Sequence, residues 1–181
     1  AMRKELAARC PDARILDGSL LTAVPPAPAA VGLISHVLYH IPDEQWAACA
    51  RRAAGHLTPD GVLVIALKAP DSGCNGMLEH FGAPRFDLPA RLGAASALPE
   101  NLSVSFERIP ASFVTESFEE TLTIARFMLC DREAAAFPRQ PSESELREYV
   151  RAHFWNESAG TGGWRYDELL CLVRKRPGGS A

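Results

Sequence analysis

The chain has 181 residues, of which 47% are hydrophobic, and its 19 basic and 22 acidic side chains give a net charge of −3. This composition predicts one compact domain over residues 1–176 and a disordered tail over 177–181. The balanced charge argues against a nucleic-acid partner, and no apolar run approaches the roughly 18 to 20 residues of a membrane span. We therefore expect a soluble protein with neither nucleic acid nor membrane as a partner.

The first predicted elements precede a proline-rich loop. The stretch "RKELAARC", from Arg3, predicts a short helix, and "ARILDGSLL", from Ala13, predicts a strand. Pro25-Pro26-Ala27-Pro28 then predicts a loop, because proline lacks the N–H that helices and sheets use.

Two long apolar runs predict buried parallel strands joined by a helix. "VGLISHVL", from Val31, and "GVLVIALKA", from Gly61, stay apolar without alternation, as strands buried on both faces do. Asp43 follows Pro42 and is a candidate N-cap for the helix between them, and Thr58-Pro59-Asp60-Gly61 predicts the turn that ends it. One face of this helix carries Trp46, Ala50, Ala53 and Leu57.

The second half predicts a strand, two helices and a closing strand. Residues 102–113, "LSVSFERIPASF", alternate at first between apolar and polar, which is typical of a strand with one solvated face. Ser117 and Ser142 are each followed three residues later by glutamate, and each predicts a capping box at the start of a helix. "WRYDELLCLVRKR", from Trp164, predicts the last strand. The buried helix faces are Phe118, Leu122, Ala125 and Leu129, and Leu146, Tyr149, Val150 and Phe154.

The connections between these predicted strands and helices resemble those of class I S-adenosylmethionine-dependent methyltransferases. "VGLISHVLYHIPD" is similar to the fourth strand of that family and the start of the next helix. "HLTPDGVLVIA" is similar to the helix-to-fifth-strand joint, with Asp60 in place of the first glycine of the usual Leu-x-Pro-Gly-Gly. The layout of the second half resembles the histamine N-methyltransferase-like branch. The resemblance implies an α/β fold with a Rossmann-like sheet and flanking helices, and methyl transfer to the nitrogen or oxygen of a small molecule.

One part of the family pattern is missing from the sequence. There is no Gly-x-Gly-x-Gly turn of the kind that approaches the cofactor, so the resemblance begins after the second strand, at about Met2. In the family's sheet order, 3-2-1-4-5-7-6, loss of strands 1 and 2 leaves an edge of the fourth strand bare. We expect the chain to be a fragment of a longer polypeptide, to pair with another copy in a homo-oligomer such as a dimer, or to rearrange. The missing loop also puts S-adenosylmethionine binding by this chain in question.

The resemblance and the strand-end rule together give candidate site residues. Ligands of open α/β sheets bind beyond the carboxyl ends of the strands, here over residues 17–20, 35–40 and 68–74. Ser35 and His36 match the positions at the end of the fourth strand where the family contacts the methionine part of the cofactor or the acceptor substrate. Gly18 and Ser19 match the loop that approaches the adenine ring, although a plain turn fits them too.

The acceptor side is assigned to the histidines and the tyrosine after the fourth strand. His36 is the candidate catalytic residue, because an imidazole titrates near neutrality and can orient or deprotonate an amine or hydroxyl acceptor. Tyr39 and His40 either line the acceptor pocket or cap the following helix. A metal site at His36 and His40 is disfavoured, because the segment reads as strand and turn and no third ligand clusters with them.

The cysteines and the missing glycine turn bear on the cellular location and on the alternative function. Five cysteines without a Cys-x-x-Cys pair argue against a disulfide framework or a zinc clip and favour a reducing cytoplasm. The alternative to an enzyme is a non-catalytic, methyltransferase-derived interaction or oligomerisation domain that uses its bare sheet edge.

Overall fold

The computed structural model describes residues 5, 8–16, 18–94, 97–130 and 136–176. The predicted tail at 177–181 lies outside these residues. Of the predicted N-terminal helix, residues 5 and 8–10 are described; residues 5, 8 and 9 are helical and Cys10 is coil. The strands are β1 (Ala29–Ser35), β2 (Leu57–Lys68), β3 (Leu102–Ile109), β4 (Ser112–Thr115), β5 (Trp155–Asn156), β6 (Thr161–Arg165) and β7 (Glu168–Lys175). The α-helices are α1 (Trp46–Gly55), α2 (Gly73–His80), α3 (Leu88–Leu92), α4 (Phe118–Leu129) and α5 (Glu143–His153).

The main sheet has four strands in the order β1-β2-β7-β3. Strands β1 and β2 are parallel, with Ile34 opposite Ile65, and β7 runs antiparallel to both β2 and β3. Helix α1 connects the two parallel strands, as the unbroken apolar runs predicted. The prediction that both strands are buried on both faces is wrong for β1, whose Val31 and Leu33 are exposed because none of the described elements covers that face. This order corresponds to strands 4-5-7-6 of the order that the resemblance implies.

The helix between the parallel strands begins later than predicted. Asp43 starts a short 3₁₀ turn, Asp43–Gln45, and α1 itself begins at Trp46. The Trp46 side chain is fully buried, and its indole N–H donates to the carbonyls of Leu38 at 3.1 Å and Ile41 at 2.9 Å. Those two bonds hold the loop after β1 against the core.

The predicted turn at 58–61 is a bulge inside β2. Ala29 pairs with Leu57 and Val31 with Val62, so the intervening residues of β2 loop out without ending the strand. Gly61 allows this close approach, since a Cβ there would lie 3.0 Å from the carbonyl oxygen of Ala29.

The segment predicted as the first strand is irregular. Residues 13–16 and 18–22 are coil and turn, and the outer edge of β1 pairs with none of the described strands. Gly18 has a φ of 123°, and the carbonyl of Ser19 accepts the N–H groups of Thr22 and Ala23. The strand prediction at Ala13 is therefore wrong, because an apolar stretch becomes a strand only where another strand can pair with it.

Two predicted single strands each divide into two, which creates a second sheet. The run at 102–113 breaks at Pro110 into β3 and β4, and the run from Trp164 breaks at Tyr166 and Asp167 into β6 and β7. The carboxylate of Asp167 accepts the Ala111 N–H at 3.2 Å and so joins the two corners. Strands β4, β6 and β5 form a three-stranded antiparallel sheet that the sequence did not predict.

Apolar side chains form two buried clusters. One lies between the main sheet, α1 and α3, and its members include Trp46, Phe86, Ile65 and Leu67. The other joins α2, α4, α5 and the second sheet through Met77, Leu122, Val150 and Trp164. The capping box predicted at Ser142 is complete, with both reciprocal bonds to Glu145, and the buried face of α5 includes the predicted Leu146, Tyr149 and Val150. No helix in the described part of the chain combines the length and the apolar character that crossing a bilayer requires.

Candidate functional site

A cavity of about 420 Å³ lies at the carboxyl ends of β1 and β2. His36, Tyr39 and His40, from the loop after β1, line it together with Lys68 and Glu168, which end β2 and begin β7. An apolar wall, defined as Phe113, Ile124, Phe127, Met128 and Tyr166, forms the rest of the lining. Open α/β sheets bind their ligands at this end, where the strand pattern predicted a site.

His36 directly follows β1 and has a left-handed backbone conformation, with a φ of 54°. Its N–H donates to the carbonyl of Ala66 at 3.1 Å, so the residue remains tied to β2. Such a conformation costs a non-glycine residue about 1 to 3 kcal/mol and persists where the surrounding contacts enforce it. The chain then turns into the 3₁₀ turn Leu38–His40, and the imidazole lines the cavity with 42% of its side chain exposed.

Tyr39 ties the loop after β1 to the neighbouring strand. Only 6% of this residue is exposed, and its ring lies 4.5 Å from that of Phe86. The Tyr39 hydroxyl accepts the backbone N–H of Lys68 at 2.9 Å and lies 3.2 Å from Nδ1 of His36. A single hydroxyl group therefore fixes both the end of β2 and the imidazole.

Two oppositely charged residues lie side by side across the strands at the cavity. Lys68 and Glu168 are opposite each other in the β2–β7 register. Lys68 is 7% exposed, and its Nζ lies 2.9 Å from Sδ of Met128 and 4.9 Å from the centre of the Tyr39 ring. Oε2 of Glu168 is shielded from solvent and lies 3.4 Å from Nε2 of His36.

Some of the residues that line the cavity were predicted from the sequence. Lys68 begins the 68–74 stretch that the strand-end rule indicated, but Glu168 was missed because residues 164–176 read as one strand. The break at Tyr166 and Asp167 places Glu168 at a strand end, and the cross-strand register brings it to the cavity. The one indication in the sequence was that two adjacent charged residues, Asp167 and Glu168, interrupt the apolar character of this run. Three residues of the apolar wall, Ile124, Phe127 and Met128, were missed because they lie on a face of α4 beside its predicted buried face.

The predicted cofactor residues are not brought together. Ser35 is exposed at the end of β1, next to His36, whereas Gly18 and Ser19 lie in an exposed turn. The carbonyl of Thr22, in that turn, accepts a bond from Arg52 at 3.1 Å, and Arg52 lies near the end of α1 that leads into the amino end of β2. The turn is thus near the sheet end opposite His36.

These positions fit S-adenosylmethionine only in part. The hydroxyl of Ser35 and the imidazole of His36 are polar, exposed and beside the open edge of β1, which suits the polar methionine end of that cofactor. Gly18 and Ser19, the residues assigned to its adenine ring, lie elsewhere. The roles assigned to Gly18 and Ser19 remain predictions from the sequence. The same holds for the roles assigned to Ser35, His36, Tyr39 and His40.

Comparison with solved structures places this fold among known proteins. YcgJ from Bacillus subtilis superposes with a TM-score of 0.60 at 14% identity, over 97% of this chain and 77% of YcgJ. BH2331 from Bacillus halodurans C-125, provisionally assigned as a methyltransferase, gives 0.52 at 13% identity, over 87% of this chain and 69% of BH2331. A protein of unknown function from Deinococcus radiodurans R1 gives 0.53 at 14% identity, over 96% of this chain and 64% of that protein. Neither a family model nor a curated protein sequence matches the chain.

Identities this low establish the fold alone. The chain has the Rossmann-like sheet with flanking helices of class I methyltransferases, which confirms the predicted fold class. It spans 64% to 77% of the length of these three structures.

Proposed function

We propose that this domain, with its class I methyltransferase fold, binds the acceptor in an S-adenosylmethionine-dependent methyl transfer to a nitrogen or oxygen of a small molecule. The observation that carries the proposal is the convergence of His36, Tyr39, His40, Lys68 and Glu168 on one cavity at the carboxyl ends of β1 and β2. Polar groups that converge in a largely apolar cleft are typical of small-molecule sites, and about 420 Å³ lies within their usual size range.

Methyl transfer needs positioning more than acid–base chemistry. The bound cofactor supplies an electrophilic methyl group on a sulfonium sulfur. The chain's own residues must hold the acceptor atom in line with that group and exclude water. In this proposal Ser35 and His36 contact the cofactor, His36 orients or deprotonates the acceptor, and Tyr39 and His40 contact the acceptor's body.

The open edge of β1 is proposed as an interface. Val31 and Leu33, on the outer face of this strand, are 62% and 67% exposed, and the edge beside them pairs with none of the described strands. An apolar strand with a bare edge pairs readily with another strand. We propose that a second copy of the chain or a further segment of the same polypeptide covers it, in the reducing cytoplasm that five unbridged cysteines favour.

The alternative function is a non-catalytic interaction domain. The partial fit to the cofactor and the exposed apolar residues of β1 both favour it, because neither requires chemistry at the cavity. The two functions differ in whether the natural gene product binds S-adenosylhomocysteine and transfers methyl groups.

The experiment is calorimetry with S-adenosylhomocysteine, followed by an assay of methyl transfer from S-adenosylmethionine to a panel of small amines and phenols. Both measurements use the natural gene product, that is, the whole polypeptide as its gene encodes it. We expect a binding heat and turnover, with turnover lowered at least about tenfold by His36→Ala. His153→Ala, at an exposed histidine outside the cavity, is the matched control and should keep full turnover. A natural gene product that binds no S-adenosylhomocysteine contradicts the enzyme proposal and favours the interaction domain.

A further inference from the structure

We infer that Glu168, and not His36, accepts the proton that the acceptor loses, and that His36 is a positioning residue held in its Nε2–H tautomer. The inference rests on the proposed methyl transfer and names which group of that site takes the proton. It starts from the contacts of the two imidazole nitrogens.

The carboxylate of Glu168 fixes a proton on one side of the ring. Its Oε2 lies 3.4 Å from Nε2 of His36, is shielded from solvent, and makes no hydrogen bond to any described residue within normal limits. An ionised carboxylate only accepts hydrogen bonds, so a bare Nε2 lone pair at that distance would be repelled. The proton of a neutral His36 therefore belongs on Nε2, the ring nitrogen that lies nearer to Glu168.

The other nitrogen then has to act as an acceptor. Nδ1 of His36 lies 3.2 Å from the hydroxyl of Tyr39, which already accepts the backbone N–H of Lys68 at 2.9 Å. The hydroxyl carries a hydrogen and has a nearby lone pair to which it can donate. The hydrogen bonds thus run from the Lys68 N–H through Tyr39 to His36, and the far side of the ring faces Glu168 at 3.4 Å.

In this arrangement Nε2 already carries a proton and the Nδ1 lone pair accepts from Tyr39, so His36 would have to give up that hydrogen bond before it could take a proton from an acceptor. Glu168 is different, because a carboxylate has about four lone-pair positions and the described contact with His36 uses one of them. Its side chain is 21% exposed and lines the cavity, which gives it access both to the acceptor and to solvent.

The proton balance is simple for either kind of acceptor. With a hydroxyl, the O–H bond breaks, the proton passes to Glu168 and the electron pair stays on oxygen as the nucleophile. With an amine, the methylated ammonium loses an N–H proton to Glu168 and the pair returns to nitrogen. Glu168 then releases the proton to solvent. The apolar wall accommodates the body of such an acceptor, so the site suits an amine or hydroxyl on a largely apolar molecule.

The first test reads the tautomer directly and requires no substrate. Long-range ¹⁵N–¹H NMR of the imidazoles at about pH 8, above the ordinary histidine range, distinguishes protonated from bare nitrogens. We expect His36 to carry its proton on Nε2, and Glu168→Gln to shift the population toward Nδ1–H because an amide can also donate. Glu107→Gln, at an exposed position of β3, is the matched control and should leave the spectrum unchanged. A His36 that carries its proton on Nδ1 in the unmodified protein overturns the inference.

The second test uses turnover of the natural gene product. We expect Glu168→Gln to lower kcat about 100-fold with KM changed less than about threefold, and Glu107→Gln to retain full activity. If the unmodified protein is active and Glu168→Gln is equally active, the inference is wrong, whereas the proposed function is unaffected. No turnover by the unmodified protein contradicts the proposed function, and the NMR measurement then decides the tautomer by itself.

Discussion

The side chain of Asn75 offers the sharpest test of how the loop after β2 is held. Asn75 is fully buried, and its amide donates to the carbonyls of Ala69 at 3.0 Å and Phe86 at 3.2 Å. Its Oδ1 accepts the N–H of Phe86 at 2.8 Å. Three hydrogen bonds from one side chain therefore connect the end of β2 to the chain that leads into α3.

Replacement of Asn75 by alanine removes all three bonds. Each bond contributes a net of about 1 kcal/mol, so we expect the free energy of unfolding to fall by about 3 kcal/mol. Urea denaturation followed by circular dichroism measures this loss, and a domain with about 5 to 15 kcal/mol of stability remains folded.

The matched control is Ser72→Ala, three residues earlier. Ser72 is buried, and its side chain makes one capping bond of 3.3 Å to the Asn75 N–H, so its loss should cost about 1 kcal/mol. If Asn75→Ala destabilises the protein by no more than Ser72→Ala does, the three side-chain bonds do not hold the loop as described.

Two further predictions concern titratable groups. Cys10 and Cys130 are exposed whereas the other three cysteines are buried, and burial raises the pKa of the Cys171 thiol to about 12. A thiol reagent should therefore modify the two exposed cysteines rapidly and all five only in urea. Rapid labelling of Cys171 in the native protein, detected by mass spectrometry, would contradict its burial. Hydrogen bonds from Arg139, then from Ser142, lower the pKa of Glu145 well below its usual value of 4.5. Because the folded state lowers this pKa, the stabilisation is complete above about pH 4.5 and is lost as the pH falls toward the folded value. The difference in unfolding free energy between the unmodified protein and Glu145→Gln should thus shrink from about pH 6 to about pH 2 in urea titrations, and a difference that grows on acidification would refute the assignment.

The sequence determined those features that depend on near neighbours in the chain. The unbroken apolar runs from Val31 and Gly61 specify two strands, and the helix between them makes those strands parallel, although Val31 and Leu33 leave one face of β1 exposed. Ser142 and Glu145 specify the start of α5, because the two reciprocal bonds of a capping box join residues only three apart. Loop residues His36, Tyr39 and His40 follow directly from the end of β1, so the side of the cavity that they line was predictable too.

Only the tertiary structure decided the features that depend on pairing between distant segments. The described residues of "ARILDGSLL" have the apolar content of a strand but pair with none of the described strands. Thr58–Gly61 has turn residues but lies inside β2, because β1 accommodates the bulge. Glu168 reaches the cavity because β7 lies antiparallel to β2 and places it opposite Lys68, about 100 residues away. A register of that kind depends on how whole strands align, which no local pattern encodes.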